Sequence, residues 1–288
     1  MVWLTWRQHR AQALVTAGLL LALGVFLLVH ALGTSGAGPE ALRDRYESVQ
    51  VYLSWLPAVP LLVGAFWGAP VLARELERGT HRLAWTQSVP RRRWLGAKLL
   101  CLGLAVTVAG LALGMIVAGW QSAFDGVADR FGDAAMFGAT GVAAGAWWLF
   151  AFMLGTAAGG VLRRTLPALA VTTAVFLLAL FAVLDARPAY AEPERRVVED
   201  KSAPSAGLRT GSMWLSPSGV EVETVPECAD ASGEAWLSCP LEAGYRMVEY
   251  FHPADRYWRF QWTETGILAL ATVLLAGPVV YRVARKPI

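Results

Sequence analysis

The residues able to do covalent or acid–base chemistry are few and poorly placed for it. Four histidines, His9, His30, His81 and His252, are scattered over 288 residues. No H-E-x-x-H run sets two imidazoles on one helix face to hold zinc, so each histidine is expected at the surface or the membrane interface. Of three cysteines, Cys101 lies in an apolar run, and Cys228 and Cys239 lie in a polar one without C-x-x-C spacing; a zinc or thioredoxin-like site has no basis. No G-x-x-x-x-G-K-[ST] loop is present, which removes the P-loop manner of binding ATP. What the spacing does offer is ordered charge beside a turn. The run Ala73-Arg74-Glu75-Leu76-Glu77-Arg78-Gly79-Thr80 is followed by Leu83, Thr86, Val89, Arg91, Leu95 and Lys98. Glu75 and Glu77 can favour a helix N-terminus, Gly79 permits a tight or left-handed turn, and Arg91 to Arg93 can anchor on anionic lipid. That is the chemistry of docking, not of catalysis. An ordinary basic loop would explain the arginines but not the Glu-x-Gly-Thr order.

The elements that must position this run are membrane spans. The hydrophobic set is 56% of the chain; exchanging Tyr for Gly raises it to roughly 64%, against about 45–50% in soluble domains. Charged residues are 16%, and mean hydropathy is +0.44. So much apolar surface cannot be hidden in a 31.1 kDa globule. A soluble enzyme, a disordered chain and a disulfide-rich scaffold are excluded. A bilayer core of about 30 Å needs roughly 20 apolar residues per helix, and six stretches qualify: 12–32, 54–73, 99–120, 136–161, 166–184 and 262–281. The fourth is long enough to be tilted or broken around Gly155 to Gly160. The middles of the spans hold no Asp, Glu, Lys or Arg, which argues against transport driven by an ion gradient, because coupling ions need ionisable ligands at depth. Gly64 and Gly68, Gly110 and Gly114, Gly141 and Gly145, and Gly155 and Gly159 have the spacing of close helix contacts. In a chain with 28 glycines such spacings recur by chance and locate no interface.

Charge orients the spans. Segments 1–11, 74–98, 162–165 and 282–288 hold 14 basic and two acidic residues, whereas 33–53 and 121–135 hold three basic and six acidic ones. By the positive-inside rule both termini are cytoplasmic. The first eleven residues, with Trp3, Trp6, Arg7 and Arg10, read as a short interfacial helix. A cleaved signal peptide fits less well, since the apolar run of about 20 residues exceeds the usual 7–15. The predicted fold class is an all-α membrane protein: six transmembrane helices, a short N-terminal interfacial helix and an extracytoplasmic segment between helices five and six. Residues 1–184 carry helices one to five with the cytoplasmic loop 74–98, 185–261 form the outer segment, and 262–288 form the sixth helix and tail. The outer segment opens on a disorder-like stretch, 192–205, and closes on aromatics suited to interface packing. Cys228 and Cys239 both fall in it, where oxidising surroundings permit a disulfide.

The loop after the second span resembles that of type-2 ABC exporter permeases, which share the acidic-basic run, the Glu-x-Gly-Thr core, the Thr-x-x-Val-x-Arg stretch and the Lys opening the third helix. The six-span plan matches that family too. The resemblance implies a permease subunit in the cell membrane without a nucleotide site or cofactor of its own, Mg-ATP being bound by a partner ABC ATPase subunit. It also implies a second permease subunit, in a homo- or heterodimer. Glu75, Glu77, Gly79, Thr80 and Arg91 would couple to the ATPase. Helices two and five would line the path with Trp55, Phe66, Trp67, Phe176 and Phe181, suiting an apolar or amphipathic cargo. Membrane lipid is a further partner and nucleic acid is not. The alternative is a membrane sensor or assembly scaffold whose outer segment binds a ligand; it explains that segment but leaves the loop unaccounted for. Single cysteines placed at Ser122 and Ser212 should react with an impermeant maleimide added outside, and one at Thr80 should not. Strong outside labelling at Thr80 overturns the topology.

Overall fold

The computed structural model describes residues 2–34, 36, 38–77, 91–198, 207–228 and 235–285. Among these, six helical stretches are long and apolar enough to cross a membrane: Trp6–Leu32, Pro39–Glu77, Arg93–Phe124, Gly141–Leu162, Thr165–Tyr190 and Ala254–Tyr281. The first span is one uninterrupted helix, Val2–Leu32, so the expected interfacial helix is not a separate element. Gln8 to Gln12 are mostly good helix formers with no Gly or Pro to stop them. Trp3 and Trp6 stand exposed at its end.

The second span is segmented. A helix over Pro39–Leu53 precedes the expected start at 54 and buries Tyr46, Val49 and Leu53. A 3-10 turn at Leu56–Ala58, a helix at Val59–Val63, a π turn at Gly64–Gly68 and a helix at Ala69–Glu77 follow. Pro57 and Pro60 lack the N–H that a continuous helix would use. The fourth span begins later than expected: Ala134–Phe137 is a separate turn. From Gly141, at φ +60°, the helix runs unbroken through Gly155 to Leu162.

That fourth helix is the core. Its Trp147, Phe150, Ala151, Phe152, Thr156 and Ala157 are all buried. Its neighbours come close because glycines face one another, which corrects the expectation that these spacings locate no interface. Towards the third span, a Cβ on Gly110 would lie 2.7 Å from the Trp148 ring, and one on Gly145 would lie 2.8 Å from Leu111. Towards the second span, a Cβ on Gly64 would lie 2.6 Å from the Ala151 carbonyl oxygen. One on Gly155 or Gly159 would meet the backbone of Gly64 or Ala69 closer still. Since lipid tails are as apolar as side chains, such close van der Waals packing, and not hydrophobicity, associates the helices.

The segment between the fifth and sixth spans departs from the all-α expectation. It contains a four-stranded antiparallel sheet in the order β1-β4-β2-β3, from β1 Glu194–Val197, β2 Gly207–Leu215, β3 Glu221–Val222 and β4 Arg246–Pro253. β4 takes Tyr250 and Phe251 out of the aromatic run, and aromatic residues suit a pleated, partly buried strand. β1 falls inside the stretch expected to be disorder-like, where Glu194 pairs with Phe251 and Val197 with Val248. Asp129, in the loop between spans three and four, accepts the Gly207 N–H at 2.7 Å and so fastens β2 to the bundle.

Gly155→Ala should drive the second and fourth spans apart. An overpacking cost of about 1–3 kcal/mol is expected, read as a lower unfolding temperature and loss of monodispersity in detergent. Gly18→Ala, where nothing lies within 4 Å of a new Cβ, should change neither. Equal behaviour of the two variants overturns the packing account.

Candidate functional site

At the basic end of the bundle, the last helix of the second span holds two of its neighbours at once. Residues two apart on an α-helix do not face each other, so Glu75 and Glu77 point to different partners. Glu75 forms an ion pair with Lys98 of the third span, whose side chain is only 5% exposed. The Lys98 ammonium also sits 4.8 Å over the Trp94 ring. Glu77 accepts from the Thr165 hydroxyl at 2.8 Å and from the Thr165 N–H at 3.3 Å. Thr165 opens the fifth span's helix, where unpaired N–H groups and the positive end of the dipole favour a carboxylate. Spans four and five join through Arg163 and Arg164; Arg163, at φ 58°, donates its N–H to the Gly159 carbonyl at 3.0 Å in a left-handed cap. Arg91 begins the helix that becomes the third span, Arg91–Gln121. Gly79 and Thr80 lie outside the described residues.

The five aromatics expected on the path do not share one surface. Phe66 is exposed and, with Trp67, lines a groove against the first span. Trp55 and Phe181 are exposed. Phe176 is fully buried, with its ring 5.6 Å from that of Trp147 on the fourth span. Between the fifth and sixth spans Cys228 and Cys239 are joined as a disulfide, with Cα atoms 5.9 Å apart. Cys228 is buried with Trp214 and Val225. Glu221, on β3, is held below the usual carboxylate range by the Tyr250 hydroxyl and then by Arg195. Among the described residues no group of His, Cys, Asp or Glu is gathered to hold a metal.

A second polar centre, at the end of the bundle opposite the basic one, escaped the sequence reading. Arg187, ending the fifth span, is 2% exposed and Glu264, in the sixth, is fully buried. The guanidinium donates through Nε to Glu264 Oε2 at 2.9 Å and through Nη2 to Oε1 at 3.2 Å. Its Nη1 donates to the Ala134 carbonyl at 2.7 Å. Trp147 Nε1 completes the carboxylate at 2.8 Å, and Phe137 lies beneath the guanidinium at 4.5 Å. Beside them Gln261 accepts the Ala143 N–H at 2.9 Å and donates to the Phe137 carbonyl at 3.0 Å, capping the fourth span. His252 is buried and not at the surface; its Nε2 lies 2.9 Å from the Pro188 carbonyl oxygen. The available signal was two opposite charges at the ends of apolar runs, Arg187 just past the fifth and Glu264 near the start of the sixth. Neither lies in the middle of a run, where an ionisable residue stands out.

Residues 2–187 match the ABC-2 membrane transporter related family. The chain belongs to that family. No curated protein and no solved structure matches it. This ABC-2 protein is a multi-pass membrane protein, and the family makes it a permease of an ABC transporter, a membrane subunit that works in a complex with an ATPase. The match covers the first five spans and ends at Arg187; the sheet and the sixth span lie beyond it.

Glu264→Ala would leave Arg187 buried without its counter-charge. Breaking such a pair costs about 3–5 kcal/mol, so thermal unfolding in detergent should shift down sharply. The double variant Arg187→Met, Glu264→Leu should regain much of the loss. A single variant as stable as the parent overturns the assignment of this pair as the outer clamp.

Proposed function

We propose that this chain is the permease half of an ATP-driven exporter. It docks a separate ABC ATPase, which binds Mg-ATP, on the segment that follows Glu77, and it pairs with a second permease subunit of the same or another chain. Both termini face the cytoplasm. The observation that carries the reading is the divergence of Glu75 and Glu77 to Lys98 and Thr165. A push on the segment after Glu77 moves a short helix whose two carboxylates grip the third and fifth spans, so one contact displaces three helices. Above that helix the π turn Gly64–Gly68 interrupts the regular hydrogen-bond ladder, the kind of irregularity that often accompanies functional sites. Gly79, Thr80 and Arg91 belong to the docking surface through the family's loop order. Trp55, Phe66, Trp67 and Phe181 offer apolar walls to a path between subunits, for an apolar or amphipathic cargo. Phe176, packed on Trp147, contributes by setting the distance between spans four and five.

Gly79→Val, Glu77→Ala and Thr165→Val test this together. Valine at position 79 disfavours any positive-φ turn by about 1–2 kcal/mol, and the other two remove the contact between spans two and five. Each should reach the membrane at normal levels yet bind the ATPase several-fold more weakly, or leave its hydrolysis uncoupled. Arg92→Ala should do much less, since Arg91 and Arg93 remain. Full partner binding and full coupling in both Gly79→Val and Glu77→Ala overturn the docking assignment. Stoichiometric recovery of a kinase in place of an ATPase would favour the sensor reading instead.

A further inference from the structure

The basic end holds a feature that the docking role does not use. A polar pocket of about 510 Å3 lies between the first span and the second, lined by His9, Gln12, Trp67, Arg74, Glu75 and Lys98. Directly continuous with it through Trp67, an apolar groove of about 390 Å3 runs between the same two spans, with Val15, Leu19 and Leu23 on one wall and Leu56, Leu62 and Phe66 on the other. Gln12 is the hinge between the two. Its Oε1 lies 2.7 Å from His9 Nδ1, and its Nε2 donates to the Phe66 carbonyl at 3.4 Å, in the π turn.

We propose that pocket and groove together bind one anionic phospholipid, headgroup below and acyl chain above. Three features commit the groove to that occupant. The first is length. From Gln12 to Leu23, and from Trp67 to Leu56, the walls extend about 16 Å at 1.5 Å per residue, which is the depth of one leaflet of a hydrocarbon core of about 30 Å. The second is charge. Glu75 and Lys98 neutralise each other, and the side chain of Arg74 is exposed, so the pocket keeps a cation for a phosphate, with His9 and Gln12 as further polar contacts. The third is level. Trp3 and Trp6 are exposed on the same end of the first span, and Arg7 lies 5.4 Å over the Trp3 ring, a pairing of aromatic and cation that belongs at the headgroup depth. The lipid would thereby fasten the first span to the second beside the Gln12–Phe66 hydrogen bond, at the end opposite the contact of Arg45 with the His30 carbonyl.

The groove shares Phe66 and Trp67 with the walls assigned to the cargo path, but the lipid assignment does not depend on the exporter reading and its test needs no ATPase. The full chain is placed in nanodiscs of phosphatidylcholine containing phosphatidylglycerol with a photoreactive diazirine on its acyl chain, and adducts are mapped by mass spectrometry. Adducts should concentrate at least fivefold in residues 12–23 and 56–67 over the other spans. Arg74→Gln should lower them several-fold, and Leu62→Trp, filling the groove at an exposed position, should lower them whether or not the Arg74 variant folds. A diazirine phosphatidylcholine should label the groove several-fold less. Even labelling over all six spans, equal labelling by the two lipids, or indifference to Leu62→Trp overturns the proposal. Displacement of the adducts by excess inorganic phosphate would make the pocket a plain anion site. Disulfide-linked dimers of Leu19→Cys with loss of groove labelling would show a second copy in the lipid's place.

Discussion

Everything in the bundle depends on how closely the fourth span lets its neighbours approach. In lipid, helices gain nothing from hiding apolar side chains, so they associate where backbones can come near enough for dense van der Waals contact. Gly64 and Gly68 meet Ala151, Phe152 and Gly155 on one side, and Gly110 and Gly114 meet Ala144, Trp148 and Gly141 on the other. The fourth helix therefore ends buried between the second and third spans, its large side chains filling the spaces the glycines leave. That closeness places the helix Ala69–Glu77 where its carboxylates reach both Lys98 and Thr165. A second span standing further off would carry the same charges with nothing to hold.

The fifth span packs one face on the fourth through Ala168, Phe176 and Leu180, while Leu166, Leu178 and Phe181 face outward. Polar contacts fix it further at its two ends. Glu77 receives its first N–H at the basic end, and Glu264 receives the Arg187 fork at the other. The Arg187–Glu264 pair is costly to bury and is stabilised there because each charged group has a further partner, the Trp147 indole for the carboxylate and the Ala134 carbonyl for the guanidinium. His252 to Pro188 and Asp129 to Gly207 then bring the sheet under the same constraint, so the sheet is continuous with the end of the fifth span.

What could be read from the residues follows from range. Six spans were legible because hydropathy is a sum over about 20 neighbouring residues, and the docking run was legible because its order is local. The strands were missed because β1 and β4 pair across more than 50 residues and each looks like something else alone, a charged stretch and an interfacial aromatic cluster. Spacing shows that Gly155 and Gly159 share a helix face but not what lies opposite. Arg187 and Glu264 are 77 positions apart, and each alone is an ordinary charge at the end of an apolar run. Phe176 faces inward because of where the fourth span sits, which no pattern within the fifth span records.

The first span is held differently from the rest. Its packing partner is mainly the third span, where Gly24 lies against Ile116, and most of its apolar surface faces outward. Against the second span it has a groove where the other helices have glycine contacts. A membrane helix lying beside a groove is not an incomplete fold, because the bilayer supplies apolar chains to any surface of suitable depth. The polar residues at the mouth then decide which lipid fits, since an exposed Arg74 beside a neutralised Glu75–Lys98 pair distinguishes a phosphate with net negative charge from one already balanced by choline. The glycine-packed core is thus self-sufficient, and the position of the first span is completed by the solvent in which the protein lives.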